Sequence, residues 1–164
     1  MPDMEICYNP IGIIHSPFKK PEGTPIQAAA AKGVKGLIEI FPEYVDGLKD
    51  LDGFSHIILI YHFHLARKKL LLVKPFLDDE LRGVFATRAP SRPNPIGLSV
   101  VKLNGVEENI LYIENVDILD GTPLLDIKPC IPEFDFCRVE RTGWIEKRIH
   151  RMDSRRDDGR FSKI

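Results

Sequence analysis

The sequence predicts a mainly β fold: a small antiparallel β-barrel with one or two short helices and a basic C-terminal tail. Thirteen prolines and twelve glycines are spread along 164 residues, which leaves little room for long helices and suits short strands between turns. Several apolar runs are rich in β-branched and aromatic residues, which favour strands. Apolar residues make up 43% of the chain and charged residues 29%, so it can bury a core and general disorder is excluded.

Eight segments have the length and composition of short strands. In chain order they are residues 11–15, 36–41, 54–64, 70–74, 83–87, 98–103, 110–116 and 125–127. Residues 103–105 and 107–109 separate the sixth and seventh of these segments, and their Asn and Gly residues favour tight backbone angles. We therefore expect those two strands to form an antiparallel hairpin.

Helix is predicted in two places, residues 43–51 and the tail from residue 144 to about residue 156. In the tail, four apolar residues recur with helical spacing: Trp144, Ile145, Ile149 and Met152. Residues 155–163 are mostly Arg, Asp, Gly and Ser, so we expect them to be frayed or to await a partner.

The charge distribution divides the chain into a barrel domain, residues 1–137, and a basic, partly helical extension, residues 138–164. The extension holds nine Lys or Arg against five Asp or Glu, although the whole chain has a net charge of -1. A uniformly basic protein that coats nucleic acid is therefore excluded, and only the tail is basic.

The cysteines and the N-terminus indicate where the protein works. Cys7, Cys130 and Cys137 form no CxxC pair, which predicts free thiols in a reducing compartment. The first residues lack the basic and apolar regions of a secretion signal, and the longest apolar run, residues 57–61, is too short to span a membrane. We expect a soluble, cytoplasmic protein.

The loop of residues 86–97, hereafter the Pro loop, is the most informative segment. Three prolines fix their own φ and restrict the preceding residues, which stiffens the loop before a ligand binds: Pro90, Pro93 and Pro95. Three side chains offer planar donors to a carboxylate, a phosphate or a nucleobase: Arg88, Arg92 and Asn94. A binding loop is favoured over a rigid exposed connector.

Residues 119–129 are a second candidate site. Asp120 and Gly121 are typical of a turn, whereas Asp126 lies in an apolar run where a carboxylate requires a partner. The partner is expected to be Arg88, Arg92, Lys128 or a substrate amine. An ordinary turn followed by a structural ion pair is an equal alternative.

The predicted third strand places three histidines on one face: His56, His62 and His64. A metal site is one interpretation, but no acidic or cysteine ligand has a confirming spacing, so core or pocket histidines are favoured and no metal is expected. His64 is nearest the strand end and is the stronger pocket candidate. Residues 15–27 read as a Pro-rich flexible connection. The sequence also lacks the GxGxxG, P-loop, HExxH and GxSxG signatures.

Four motifs occur together and in order, at residues 11–17, 51–56, 83–97 and 120–129. With them the chain resembles the TrmO family (TsaA-like or YaeB-like) of tRNA adenine-N6-methyltransferases over about residues 8–135. One motif alone is weak, but four in this order are specific. The resemblance implies a β-barrel enzyme that uses S-adenosyl-L-methionine, acts as a homodimer, and methylates N6 of threonylcarbamoyladenosine at position 37, in the tRNA anticodon loop.

The resemblance also implies which residues hold the cofactor: Pro25, Ile26, Gln27, His64, Leu65, Arg88, Leu98, Asp120, Gly121, Thr122 and Pro123. Catalytic roles are our own hypotheses. Asp126 accepts the N6 proton, Arg92 contacts the threonyl carboxylate, and Asn94 contacts the base edge or the ureido carbonyl.

Two other functions stay open: a non-catalytic module that binds an adenosine-type ligand or RNA, and a methyltransferase for another small substrate. Bacterial family members commonly carry a further C-terminal domain thought to help bind tRNA, whereas 27 residues follow Cys137 here. The basic extension is expected either to replace that domain by contacting phosphates or to be a solvated helical end.

Overall fold

A closed, six-stranded antiparallel barrel forms the centre of the computed structural model, which describes residues 4–162. The strands are β1 (Gly12–His15), β2 (Lys35–Ile40), β3 (His56–His62), β4 (Leu72–Val73), β5 (Arg82–Gly83), β6 (Ile96–Glu107), β7 (Ile110–Glu114) and β8 (Thr122–Pro129). The barrel order is β1-β2-β7-β6-β3-β8, and β8 pairs with β1 to close it. The prediction of a mainly β barrel is confirmed.

Alternating burial explains why these segments form strands. On β3, Ile57, Leu59 and Tyr61 face the barrel interior, while His56 and Ile58 lie on the opposite face. Burying one such apolar side chain contributes about 1.5–3 kcal/mol, so the alternation fixes the register. Closure of the barrel also leaves its strands without free edges.

The predicted hairpin is present, but its turn lies further along the chain. β6 continues through Asn104 and Gly105 to Glu107, with a shift in register against β7 between Leu103 and Gly105. The chain reverses at Glu108, whose φ is 53°. The Asn104-Gly105 pair, which the sequence assigned to the turn, therefore lies at an irregularity in the pairing of β6 with β7.

The predicted strands at residues 70–74 and 83–87 lie outside the barrel. Parts of these two segments, β4 and β5, pair with each other and form a separate two-stranded sheet. A 3-10 turn, Val84–Ala86, follows β5, and the Thr87 amide and hydroxyl both donate to the Val84 carbonyl. That local turn ends the second of these strands early.

Short 3-10 segments replace the predicted helices. The first predicted helix is the 3-10 segment Pro42–Leu48, and the tail contains only the turns Gly143–Ile145 and Ile149–Arg151. The prediction of one continuous tail helix is wrong. Gly143 has a φ of 61°, and the Trp144 indole donates to the Ala86 carbonyl at 2.8 Å, so tertiary contacts override helical spacing. The sole α-helix within residues 4–162 is α1 (Pro132–Asp135).

Residues 155–162 are packed on the protein, so the prediction that they are frayed is wrong for this part of the tail. Arg156 pairs with Pro25 in an isolated β-bridge. Phe161 is buried against Phe76, with ring centroids 5.1 Å apart. Lys163, which the same prediction included, lies outside the described residues. The division into residues 1–137 and 138–164 stays a prediction.

Two further expectations concern cysteines and membranes. Cys7, Cys130 and Cys137 are free. In residues 4–162, none of the helices has the length and apolar content needed to cross a bilayer.

Candidate functional site

A cavity of about 300 Å³ lies at the end of the barrel where β3 ends and β6 and β8 begin. Antiparallel pairing brings these strand ends together, although they are far apart in the sequence. The walls come from residues 21–27, 61–66, the Pro loop, residues 117–122 and residues 157–162. The structure therefore brings together, in one site, the Pro loop and residues on both sides of the predicted Asp-Gly turn.

Most of the predicted cofactor residues line this cavity: Pro25, Ile26, Gln27, His64, Leu65, Arg88, Leu98 and Thr122. Arg88 donates to the Gln27 side chain at 3.1 Å, which ties the Pro loop to residues 21–27. The Thr122 hydroxyl donates to the Leu119 carbonyl at 2.7 Å and lies 3.4 Å from Nδ1 of His64. Burial, together with the charge of His62, lowers the pKa of His64, which favours the neutral imidazole.

Three predicted cofactor residues do not line the cavity: Asp120, Gly121 and Pro123. The Asp120 carboxylate accepts the Ser16 amide at 3.0 Å and pairs with Lys19 at 2.6 Å. These partners hold the pKa of Asp120 below its usual range. Gly121 takes a φ of 77°, which glycine adopts without strain. We infer that this turn supports the site by presenting Thr122 to the cavity.

A buried hydrogen-bond chain in the cavity wall was missed by sequence reasoning. The Ser99 hydroxyl donates to Oδ1 of Asp117 at 2.7 Å, so the Tyr61 hydroxyl, 2.9 Å from Ser99, must be the donor in that second bond. Burial raises the pKa of Asp117 to about 6, and burial also raises the pKa of Tyr61. The available signal was the position of Asp117 between Val116 and Ile118, where a carboxylate is costly.

Asp157 is a second carboxylate that the sequence did not identify. It lines the cavity from the C-terminal tail, and its Oδ1 accepts the Gly159 amide at 2.7 Å. Burial raises the pKa of Asp157 to about 6, and the nearby charges of Asp158 and Glu22 act in the same direction. The cavity thus contains two carboxylates whose pKa values are raised by burial.

Arg92 lines the cavity, but one nitrogen of its guanidinium is committed to the Pro loop. Nη1 donates to the carbonyls of Val84, Thr87 and Ala89 at 3.3, 2.8 and 3.2 Å. These bonds hold the loop against the turn that follows β5. The hypothesis that Arg92 contacts a substrate carboxylate stays a prediction, beside this structural role.

Replacing Arg92 should therefore lower stability even without any ligand. We expect Arg92→Lys to destabilise the fold by about 1–3 kcal/mol, because the lysine side chain is one bond shorter and its ammonium does not reach the position from which Nη1 contacts the three carbonyls. Thermal unfolding followed by circular dichroism measures the loss. Arg67→Lys, at an exposed position, is the matched control and should melt with the wild type. Equal melting temperatures for all three proteins would refute the structural role.

The other two predicted catalytic residues lie outside the cavity lining. Asp126 pairs with Lys128, one of its predicted partners, at 2.9 Å, which confirms the alternative of a structural ion pair. The side chain of Asp126 is 47% exposed, so the expectation that this carboxylate is buried is wrong. A shift in register between β3 and β8 occurs at this point, which interrupts regular alternation. Asn94 is exposed on the Pro loop. Neither residue gains support for a chemical role from its position.

The three histidines do not form a metal site. His64 lies in the cavity, as the sequence indicated, whereas His56 is exposed at the start of β3. Across residues 4–162, no three His, Cys, Asp or Glu side chains cluster in a way that could hold a metal ion.

The model of the tRNA-methyltransferase O (TrmO) N-terminal domain matches residues 13–136. The chain belongs to this TrmO family. A probable S-adenosyl-L-methionine-binding protein of Pyrococcus abyssi is 64% identical to it over 159 residues, 97% of this chain and 86% of the relative. The mouse tRNA (adenine(37)-N6)-methyltransferase is 38% identical over 133 residues, 77% of this chain and 31% of the relative.

The crystal structure of TrmO from Pseudomonas aeruginosa matches with a TM-score of 0.72 and 39% identity. The match covers 86% of this chain and 63% of the crystallised chain. This chain therefore spans somewhat less than two thirds of that protein. Asp117 lies inside the stretch that the TrmO domain model matches, and Asp157 lies beyond its end.

Proposed function

We propose that the chain is an S-adenosyl-L-methionine-dependent methyltransferase that modifies N6 of threonylcarbamoyladenosine at position 37 of tRNA. The observation that carries the proposal is the pair of cavity carboxylates, Asp117 and Asp157. Within residues 4–162, neither takes part in an ion pair. A cationic ligand would offset the free-energy cost of burying these two ionised carboxylates. S-adenosyl-L-methionine carries two positively charged groups, a sulfonium and an ammonium.

The remainder of the cavity also suits this cofactor. Its volume of about 300 Å³ is at the lower end of the range for small-molecule sites. Ile26, Leu65 and Leu98 supply apolar surface for an adenine ring. Arg88 supplies a guanidinium for a carboxylate, and the Thr122 hydroxyl supplies a polar contact. Membership of the TrmO family supports tRNA adenine as the acceptor, a role that the mouse relative carries in its name.

The chemistry divides between the cofactor and the protein. When bound, S-adenosyl-L-methionine supplies an electrophilic methyl group on a positively charged sulfur. The chain's own residues hold both partners in line and exclude water, which is the largest demand of such a displacement. The stiff Pro loop lowers the entropic cost of this alignment because its backbone is fixed before binding.

Proton transfer is assigned to Asp117 in this proposal. The N6 nitrogen loses a proton when it is methylated, and a carboxylate with a pKa of about 6 is ionised at neutral pH and still basic enough to accept it. The Ser99 hydroxyl orients Oδ1 of Asp117, and Tyr61 orients Ser99. Asp117 thereby takes the role that the sequence alone gave to Asp126.

The proposal includes a homodimer that works in the cytoplasm, as the resemblance implied. Exposed apolar side chains support a dimer: Phe85, Leu98 and Phe136 are 76%, 49% and 66% exposed. All three border a second groove of about 1110 Å³ beside the cavity. Covering these side chains with a second copy would remove apolar surface from water. Sedimentation equilibrium measures the oligomeric state.

Mass spectrometry of tRNA nucleosides tests the function directly. The protein is incubated with methyl-labelled S-adenosyl-L-methionine and with tRNA that carries or lacks the threonylcarbamoyl group. Label only in threonylcarbamoyladenosine is the expected result. Cofactor binding without transfer selects the non-catalytic module, and label in a small molecule selects a different substrate. Affinity for tRNA should fall as salt rises, since phosphate contacts release counterions.

A further inference from the structure

We infer that residues 155–162, hereafter the tail strap, form a wall of the cofactor site, and that Asp157 in this strap recognises the positively charged part of the cofactor. The inference rests on the proposed function and extends it to a segment beyond residue 136, where the TrmO domain match ends.

Backbone pairing attaches the tail strap to the loop after β1. The Gly23 amide donates to the Asp157 carbonyl at 2.8 Å, and the Asp157 amide donates to the Thr24 carbonyl at 2.9 Å. The β-bridge between Pro25 and Arg156 continues this contact. Because Pro25 itself lines the cavity, the bridge holds the strap beside the ligand space.

Two side chains anchor the far end of the tail strap. Phe161 is only 8% exposed and packs edge-to-face on Phe76. Arg160 donates to the carbonyls of Lys74 and Pro75, and its guanidinium lies 5.3 Å from the centroid of the Phe76 ring. Aromatic and cation-π contacts of this kind add to the burial of the two side chains.

Gly159 allows the strap to approach the loop closely. Its φ is 79°, and a Cβ at this position would collide with the Glu22 side chain. The positive φ is what favours glycine here, since the flexible Glu22 side chain can move aside. The close fit places Asp157, Phe161 and Ser162 in the cavity wall.

The charged side chains around Asp157 leave its carboxylate available to bind a ligand. The Arg160 guanidinium is held by Asp158, with contacts of 2.6 and 2.9 Å, and does not form an ion pair with Asp157. The other ionisable side chains that act on Asp157, Glu22 and Asp158, are negative. A cation in the cavity would therefore meet the Asp157 carboxylate, which takes part in none of the ion pairs within residues 4–162.

Three of the nine basic residues of the C-terminal extension make internal contacts and are less available for phosphates than the sequence indicated. Arg148 contacts Asp78 at 3.3 Å, and Arg160 is paired with Asp158. Arg156 donates to the carbonyls of Asp153 and Arg155. These internal contacts favour a structural role at the cofactor site over a general RNA-binding tail.

Calorimetry with two ligands tests the inference on the full-length chain. The probes are S-adenosyl-L-methionine and 5′-methylthioadenosine, which keeps the adenosine part but lacks the sulfonium and the ammonium. We expect Asp157→Asn to weaken binding of S-adenosyl-L-methionine by about tenfold or more, because a charge-assisted contact is lost. Affinity for 5′-methylthioadenosine should change by less than about twofold. The asparagine Oδ1 still accepts the Gly159 amide, so the strap keeps its local bond.

Asp153→Asn is the matched control, since Asp153 is an exposed tail carboxylate that does not line the cavity. A second variant, Phe161→Ala, tests whether the tail strap forms a wall of the site. It should lower the affinity for both ligands to a similar extent. Unchanged affinity in Asp157→Asn, or an equal loss for both ligands, would overturn the charge assignment. Failure of the wild type to bind S-adenosyl-L-methionine would instead overturn the proposed function.

Discussion

Asp117→Asn should lower the rate of methyl transfer at saturating S-adenosyl-L-methionine by about a hundredfold or more, the usual contribution of a positioned proton acceptor. Saturation separates the chemical step from any loss of cofactor affinity. In the wild type, the rate should rise with pH as Asp117 ionises, with a midpoint at or below about pH 6, because the bound cationic cofactor lowers the pKa of this carboxyl from its ligand-free value of about 6. The variant should lose this rise. Single-turnover kinetics as a function of pH measures both effects.

Ser99→Ala provides a graded test of the same group. The Ser99 hydroxyl stabilises the ionised carboxylate of Asp117, so its removal should raise the pKa of Asp117 and move the rising limb of the profile to higher pH. If Ser99 contributed only to packing, its removal would leave the pH of the rising limb unchanged. Asp126→Asn removes the same charge from a carboxylate that pairs with Lys128 outside the cavity lining. Loss of turnover in that variant, with activity retained in Asp117→Asn, would return the role to Asp126.

The free energy of unfolding should also depend on the ionisation of Asp117. The pKa of Asp117 is about 6 in the fold and 3.8 in its ordinary state, so the folded protein binds more protons between these values. Stability should therefore fall as pH rises through this range, and Asp117→Asn should remove part of the fall. Asp157 contributes in the same direction, since its pKa is also raised to about 6.

Gly97→Ala should destabilise the protein by about 1–3 kcal/mol, the cost of overpacking a filled site. A Cβ at Gly97 would collide with the Tyr61 ring and approach Cζ of Phe63 to 2.9 Å. Both rings and Gly97 line the cavity, so affinity for S-adenosyl-L-methionine should fall as well. Chemical denaturation and calorimetry measure the two losses.

Gly105→Ala is the control for this substitution, because Gly105 lies on the same strand and a Cβ there meets no atom within 4 Å. It should leave cofactor affinity unchanged. Equal stability of Gly97→Ala and the wild type would contradict the close packing of Tyr61 against β6. It would also weaken the case that Tyr61 is held rigidly enough to orient Ser99.

Local sequence signals predicted the barrel and part of its site. On β3, the alternation of apolar residues places Ile57, Leu59 and Tyr61 inside, since successive side chains point to opposite faces. In the Pro loop, the prolines restrict the backbone whatever the surroundings. His64 was recognised as a pocket residue because it is the histidine nearest the end of the predicted strand. Each inference depends only on neighbours along the chain.

The sequence by itself determined the fold class and the stiff loop and, through the family resemblance, part of the cavity lining. Only the tertiary structure decided which carboxylates line the cavity and where the tail lies. Asp117 and Asp157 are unusual because burial raises their pKa values, and burial depends on segments that are distant in the sequence. The tail strap, residues 155–162, is polar and contains a glycine, so it has no strong local preference for a helix or a strand. Its position is therefore fixed by contacts with Thr24 and Phe76 that only the folded barrel brings within reach.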